Sequence, residues 1–262
     1  MVLKTKPVAT ATSAKRSHLL KVYGKVSGAF RRHMGELSRV RVNSVAAESQ
    51  VAKATADIDR VLRENLGATG LPVVDTAAPV PAGAHWLITP FTSPRNAIYA
   101  REEAVCTLVA FIDKDGTCPI GAIMMPMQDI CLLAEAGVGA VGEGLGRVRC
   151  ANRMELDDAL CMLPWKTADV VELDLLRKLD SQNIHTRKSG NTMVDVLDVA
   201  SGRADFAIAT RVNRLEALLS NLILAESAGF ASDLKGKPLG PDSTTLVIAN
   251  PKLHSKVIGL LK

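Results

Sequence analysis

Apolar residues recur at helical spacing from Leu19 to Met34 (Leu19, Val22, Tyr23, Val26, Phe30, Met34), which predicts an amphipathic first helix. The same period returns from Glu48 to Leu66 and stops at Gly67, a helix terminator. The pattern then changes: EEAVCTLVAFID and TCPIGAIMMPM are nearly continuous apolar runs split by Lys114-Asp115-Gly116, a hairpin signal. DICLLAEAG supplies a third strand before the glycine-rich GVGAVGEG, so this part reads as an antiparallel meander. After Cys150 the chain reads as LCMLPW, a helix around VELDLLRKLD, a helix at TMVDVLDVASG and the strand DFAIAT. A buried helix from Leu215 to Ser227, ending near Gly229, precedes the closing strand TTLVIAN and a terminal helix. No internal repeat or low-complexity tract interrupts this order.

Composition bounds the class. A chain of 262 residues with 47% hydrophobic content buries a large core as one domain or two closely joined halves. The longest apolar stretch, LEALLSNLILAESAGF, is broken by Glu216, Ser220, Asn221 and Glu226, so no membrane span is expected. Five cysteines, none spaced C-x-x-C, suggest neither a disulfide framework nor a zinc site and fit a reducing, cytoplasmic setting. The five histidines, His18, His33, His85, His185 and His254, lack metal-ligand spacing. GVGAVGEG follows a meander strand rather than opening a βαβ unit, so it does not read as a dinucleotide site.

Charge is uneven. Between Met1 and Ala47 stand Lys4, Lys6, Lys15, Arg16, Lys21, Lys25, Arg31, Arg32, Arg39 and Arg41 against the single acid Glu36, which leaves the rest of the chain net acidic. A first helix with a solvated basic face is the simplest reading; an RNA, polyanion or protein-binding surface is the functional one. An organelle transit peptide is a third reading of the same basic, acid-poor segment.

The stretch HWLITPFTSPRNAIY holds the candidate chemistry. Trp86 opens an apolar run, Pro90 ends it, and Thr89, Thr92, Ser93, Pro94 and Arg95 follow without one carboxylate. With SGNTMVDVLDVASGRAD, it carries a resemblance that extends over nearly the whole chain. HWLITPFTSPRNAIY is similar to the W-x-x-D-P-x-D-G-T-x-N motif of the inositol monophosphatase family, with Trp86, Pro90 and Asn96 in register. The three-strand stretch ending at GVGA is similar to the strands and G-x-G-A turn that follow that motif. SGNTMVDVLDVASGRAD resembles the family's G-S/T-A-A-x-D-x-x-x-V-A-x-G-R-x-D segment, with Gly190, Asp195, Val199, Ala200, Gly202, Arg203 and Asp205 in place. LLSNLILAESAGFASDLKGKPL resembles the helix and turn ending in E-A-G-G, and TTLVIANPKLHSKV the closing strand and helix.

The resemblance implies an α+β fold, the layered α-β-α-β-α sandwich of the inositol monophosphatase and fructose-1,6-bisphosphatase type. One such domain would span residues 1–262, its N-terminal half 1–150 holding the basic helix and antiparallel sheet and its C-terminal half 151–262 the rest. It implies a homodimer as well. Family members hydrolyse small phosphate monoesters with magnesium held by carboxylates. Here Thr89 and Thr92 occupy the two aspartate positions, Ser93 the glycine, and Pro94 the threonine that orients the attacking water. Proline offers neither a hydroxyl nor a backbone N–H. The upstream T-x-A-D element registers its aspartate on Thr55, with Asp57 or Asp59 as shifted alternatives. The G-E-E element falls near Val74-Asp75-Thr76, and the W-D pair on Glu216-Ala217 when aligned on Ser227-Ala228-Gly229.

Catalytic residues and metal ligands are therefore not expected at Thr89, Thr92, Ser93, Pro94 and Ala217, and Asp75 and Glu216 remain as residual metal candidates. Thr92, Ser93, Arg95, Gly190, Asn191 and Thr192 are the candidate ligand-binding residues for a small phosphorylated group, since hydroxyl and guanidinium donors suit such anions. Three functions stay open: a catalytically inactive member acting by ligand or partner binding; a divergent magnesium-dependent phosphoric monoester hydrolase acting on an inositol or sugar phosphate; or a polyanion-binding accessory protein using the basic helix.

Overall fold

The computed structural model describes residues 9–99, 104–164 and 170–262, with side chains from residue 14. Lys4 and Lys6 of the basic segment and Trp165 lie outside them. Helix α1 (Ala9–Leu37) buries Leu19, Val22, Tyr23, Val26, Phe30 and Met34, the stripe its 3.6-residue period predicts. Helix α2 (Val45–Gly67) packs beside it and begins earlier than the Glu48 start read from apolar periodicity. The earlier start has a local cause: Ser44 is the N-cap, its side chain accepting from Ala47 N at 3.2 Å, which satisfies a donor the first turn leaves unpaired.

Seven strands follow in one sheet ordered as in sequence: β1 (Val73–Asp75), β2 (His85–Thr89), β3 (Thr107–Ile112), β4 (Ile120–Met125), β5 (Ile130–Glu135), β6 (Gly139–Glu143) and β7 (Gly146–Arg147). Only β1 and β2 run parallel; the rest form the expected meander. The Lys114-Asp115-Gly116 turn is held by Asp113 Oδ1, which accepts from Asp115 N at 3.0 Å and Thr117 N at 2.9 Å, with Gly116 at φ 78°. The glycine run serves the next turn and β6.

Alternation along these strands sorts side chains to two buried faces. Trp86, Ile88, Val109 and Phe111 face α1 and α2, whereas Leu87, Leu108, Ala110 and Ile112 face the interior. Burial on both faces explains why the sequence shows continuous apolar runs.

The interior holds α5 (Thr192–Ala200) and α6 (Arg214–Glu226), packed between the first sheet and a second. That second sheet is ordered β11 (Phe230–Ser232), β12 (Leu246–Ala249), β10 (Phe206–Ala209), β8 (Leu160–Leu163), β9 (His185–Lys188). Its other face packs Cys161, Leu163, Phe206, Ile208 and Val247 against α4 (Val170–Asp180) and α7 (Pro251–Leu261). Five layers result, helices alternating with sheets. The middle helices sit close: a Cβ on Gly121 of β4 would lie 2.4 Å from Leu219 Cδ1 of α6 and 3.0 Å from Val109 O, so any larger residue would displace Leu219. Strand β9 was not legible in sequence because all four of its residues are exposed and lack an apolar face. Among the described residues, no helix is long and apolar enough to cross a membrane.

Candidate functional site

The loop after β2 is clamped to two neighbours at once. Thr107 Oγ1 donates to Pro90 O at 2.7 Å and Thr92 N donates to Cys106 O at 2.9 Å, which fixes the loop against the segment entering β3. Thr92 is buried, and its hydroxyl oxygen accepts from Cys106 N at 3.0 Å and from Asn191 Nδ2 at 2.7 Å. Its one proton faces Cys106 Sγ at 3.1 Å. A hydroxyl has one donor and two acceptor positions, so that of Thr92 is fully used. Burial pushes the Cys106 thiol up to about 12, with the hydrogen bonds from Thr92 and Asn191 opposing the shift, so the sulfur is a neutral packing group rather than a nucleophile.

Asn191 ties the loop to α5. It is the helix N-cap, its Oδ1 accepting from Met193 N at 3.0 Å, while Nδ2 also donates to Ala104 O at 2.9 Å. Ser93 stands in the left-handed region at φ 45°, and its hydroxyl donates to Gly190 O at 2.8 Å. Pro94 then opens the short helix α3 (Pro94–Ile98) at a position where a missing N–H costs nothing. Asn96 Nδ2 donates to Ala104 O at 2.9 Å and Ser189 O at 3.3 Å. Gly190 has φ 74°, and a Cβ there would lie 3.0 Å from Asn96 Oδ1, so both conformation and space require glycine. Thr92, Ser93, Gly190 and Asn191 are thus brought together as the two sides of one joint. Thr192 is buried in the first turn of α5, and Arg95 is exposed, its Nη1 3.4 Å from the Tyr99 hydroxyl.

The acids are placed elsewhere or engaged locally. Asp75 Oδ1 accepts from Ala77 N at 2.8 Å and Ala78 N at 3.0 Å, and Oδ2 lies 3.5 Å from Arg63. Asp57 and Asp59 lie on the α1–α2 side: Asp57 pairs with Arg32, Arg60 and His33, and Asp59 with Arg63. Thr55 donates to Val51 O at 2.9 Å within its helix. Ala217 is fully buried in α6. Glu216 closes a capping box, its Oε2 accepting from Asn213 N at 2.9 Å while its own N–H binds Asn213 Oδ1 at 3.1 Å. Its charge adds, as the smallest contribution, to the rise that burial imposes on the Cys106 thiol. Thr89 Oγ1 is buried without a hydrogen-bond partner. Among the described residues, no three His, Cys, Asp or Glu side chains come together as a metal-binding group.

Three participants were not legible as site residues: Cys106 sits inside an apolar run, and Ala104 and Ser189 act through backbone carbonyls that any residue would supply. Asp195, in place for the family motif, proves to be fully buried in α5 with neither carboxylate oxygen hydrogen-bonded in good geometry. Burial raises its pKa well above the usual carboxylate range, the Ser189 hydroxyl working against that and the Asp198 charge with it.

With this geometry established, known proteins supply the context. The Thermotoga maritima fructose-1,6-bisphosphatase/inositol-1-monophosphatase is 23% identical over 175 residues, 66% of each chain. The Nus factor SuhB of Salmonella typhimurium (strain LT2) is 23% identical over 181 residues, 68% of this chain and 67% of its own. The matched stretches thus span about two thirds of these relatives. In three dimensions, the crystal structure of extragenic suppressor protein suhB from Bartonella henselae superposes with a TM-score of 0.82 at 19% identity, covering 95% of this chain and 98% of the other. Residues 38–262 match the family model described as the inositol monophosphatase family, and the chain belongs to that family.

Proposed function

We propose that this protein keeps the inositol monophosphatase scaffold and acts by binding a ligand or partner, without hydrolysing phosphate esters. One observation carries the reading: the Thr92 hydroxyl and Asn191 amide, at the centre of the candidate site, are saturated by neutral bonds within the chain. Magnesium needs several oxygen ligands with enough negative charge to compete with its hydration shell. The donors here are the hydroxyls of Thr89 and Thr92, while Asp75 holds two backbone N–H groups and Glu216 caps its own helix. That set does not fit the ion, and no hydrolytic step is routed through it.

What the site retains for a ligand is modest: the exposed guanidinium of Arg95 and the buried Thr192 are the candidate groups whose polar atoms are not spent on the joint. The basic first helix adds less than its sequence promises. Arg31 pairs with Asp129, Arg32 with Asp57, and Lys25 donates to Asn65 Oδ1 at 2.7 Å, so three of its four central cations are engaged internally. The names of the relatives point two ways, to a phosphatase and to a Nus factor. A homodimer is part of the proposal, on family grounds.

A divergent phosphatase is the second reading, favoured by the position of Asp75 on β1 opposite Ile88, one residue before Thr89. Calorimetric titration with magnesium and calcium separates the two. The binding reading expects no heat of a specific site; saturable uptake lost in Glu216→Gln or Asp75→Asn establishes the phosphatase reading instead.

A further inference from the structure

Where α1 hands over to α2, the chain leaves a cleft whose walls and rim differ in chemistry. Leu37, Val40, Val42, Ala97 and Ile98 line about 130 Å³ between the connector and α3. The space is preformed, because Asn43 N donates to Ile98 O at 3.1 Å and Ser44 Oγ donates to Arg41 O at 2.5 Å, fixing the end of the connector that enters α2. Around it the surface is unusually apolar: Val42 is 49% exposed, Val45 82% and Tyr99 45%.

Interleaved with these residues are three exposed guanidinium groups, Arg39, Arg41 and Arg95. None of the three pairs with an acidic side chain among the described residues, whereas Arg31, Arg32, Arg60 and Arg63 each hold a carboxylate. The same molecule that neutralises its arginines along the α1–α2 seam leaves these three unspent beside an apolar opening.

We propose that this cleft docks an acidic peptide segment of a partner protein, an aliphatic side chain entering the cleft and flanking carboxylates pairing with Arg39, Arg41 and Arg95. The volume approaches the ~150 Å³ of an apolar cavity that accepts a benzene-sized group, so one leucine or isoleucine side chain fills it. Guanidinium groups suit carboxylates through paired N–H donors, and an apolar anchor with flanking charge pairs is how compact interfaces concentrate their energy. A nucleic acid matches less well, because the lining is aliphatic and offers no aromatic platform for a base. Arg95 is shared with the candidate ligand groups of the site, whereas Arg39, Arg41 and the lining residues of the cleft lie outside the joint at Thr92.

The test uses the full chain and a fluorescein-labelled peptide with a central leucine flanked on both sides by aspartate and glutamate, read by anisotropy. Saturable binding is expected, weakened roughly tenfold by replacing the peptide leucine with serine and by Val42→Asn in the protein. Combined Arg39→Ala, Arg41→Ala and Arg95→Ala should weaken it further and flatten its salt dependence. These side chains are exposed, and unchanged melting of the variants checks that the fold survives. Absence of saturable binding, or equal affinity of Val42→Asn, overturns the proposal. Oligouridylate that displaces the peptide and binds Val42→Asn as tightly as the parent overturns it in favour of a polyanion surface.

Discussion

The joint between the β2 loop and α5 and the seam between α1 and α2 solve the same problem, holding two elements together, with opposite chemistry. At the joint every link is neutral: hydroxyl, carboxamide and backbone groups of Thr92, Ser93, Asn96, Gly190 and Asn191. At the seam the links are charged, with Asp57 taking Arg32, Arg60 and His33, and Gln50 donating to Glu36 Oε2 at 2.6 Å. The joint is buried, where an unpaired charge is expensive, and the seam meets solvent, where charge is cheap. A phosphatase of this family needs the reverse at the joint, carboxylates kept in place by metal ions. The contrast teaches that the loop after β2 is held in place by neutral hydrogen bonds, which is what the binding reading proposed above expects.

Breaking the joint should cost most. Asn191→Ala removes an N-cap worth about 1 kcal/mol and strands buried partners worth about 1–3 kcal/mol more, so urea unfolding should show a loss of about 3 kcal/mol. A loss below about 1 kcal/mol would mean that the joint is incidental to the fold.

Asp195 sharpens the contrast as a buried carboxyl whose oxygens lack hydrogen-bond partners in good geometry. A raised native pKa means that the folded chain holds this proton more tightly than the unfolded one, so stability falls as pH climbs from the ordinary value near 3.8 through the raised one. Asp195→Asn removes that fall: melting at neutral pH should rise by a few degrees, and the gap should close below about pH 4. A variant that melts lower than the parent at neutral pH contradicts the assignment.

The seam should respond in the opposite sense. Hydrogen bonds from Arg60, then His33 and Arg32, hold the Asp57 carboxyl down at about 2, against 3.8 ordinarily. Its contribution is therefore complete above about pH 4 and lost as pH falls toward 2. Asp57→Asn should cost about 1 kcal/mol at neutral pH in low salt, less in high salt, and nothing at the acid end. Smallest of all, Lys21→Gln, on the exposed face of α1, should leave stability within about 0.5 kcal/mol, whereas Arg32→Gln should show part of the Asp57 effect.

Much of this architecture was readable beforehand where periodicity is strong. The stripe of α1, the meander around Lys114-Asp115-Gly116 and the four helices and three strands read after Cys150 follow from apolar spacing and turn residues, whereas β9 and the short β11 were not read. The motif resemblance located the candidate site, since Trp86, Pro90, Asn96 and Gly190 are residues whose shape or conformation the fold requires. How the site is wired was less legible. Asn191 reads as an ordinary helix cap, and nothing local announces that its other side reaches Thr92, nearly one hundred positions away in sequence. Glu216 shows the same limit: alignment over a helix left a one-residue ambiguity, and only the fold shows that Ala217 is fully buried while Glu216 caps the helix. Of the shifted metal candidates, Asp57 meets Arg32 and His33 only because of how α1 lies across α2, whereas Asp59 pairs with Arg63 inside α2.

The central claim is that the scaffold persists without its hydrolytic chemistry, and phosphate release tests it most directly. Purified protein, incubated with magnesium and inositol monophosphate, a sugar phosphate or an aryl phosphate, is predicted to release no phosphate above a heat-denatured control. Magnesium-dependent release by the unmodified chain, abolished by Glu216→Gln or Asp75→Asn, would contradict the account and show that the metal site has moved.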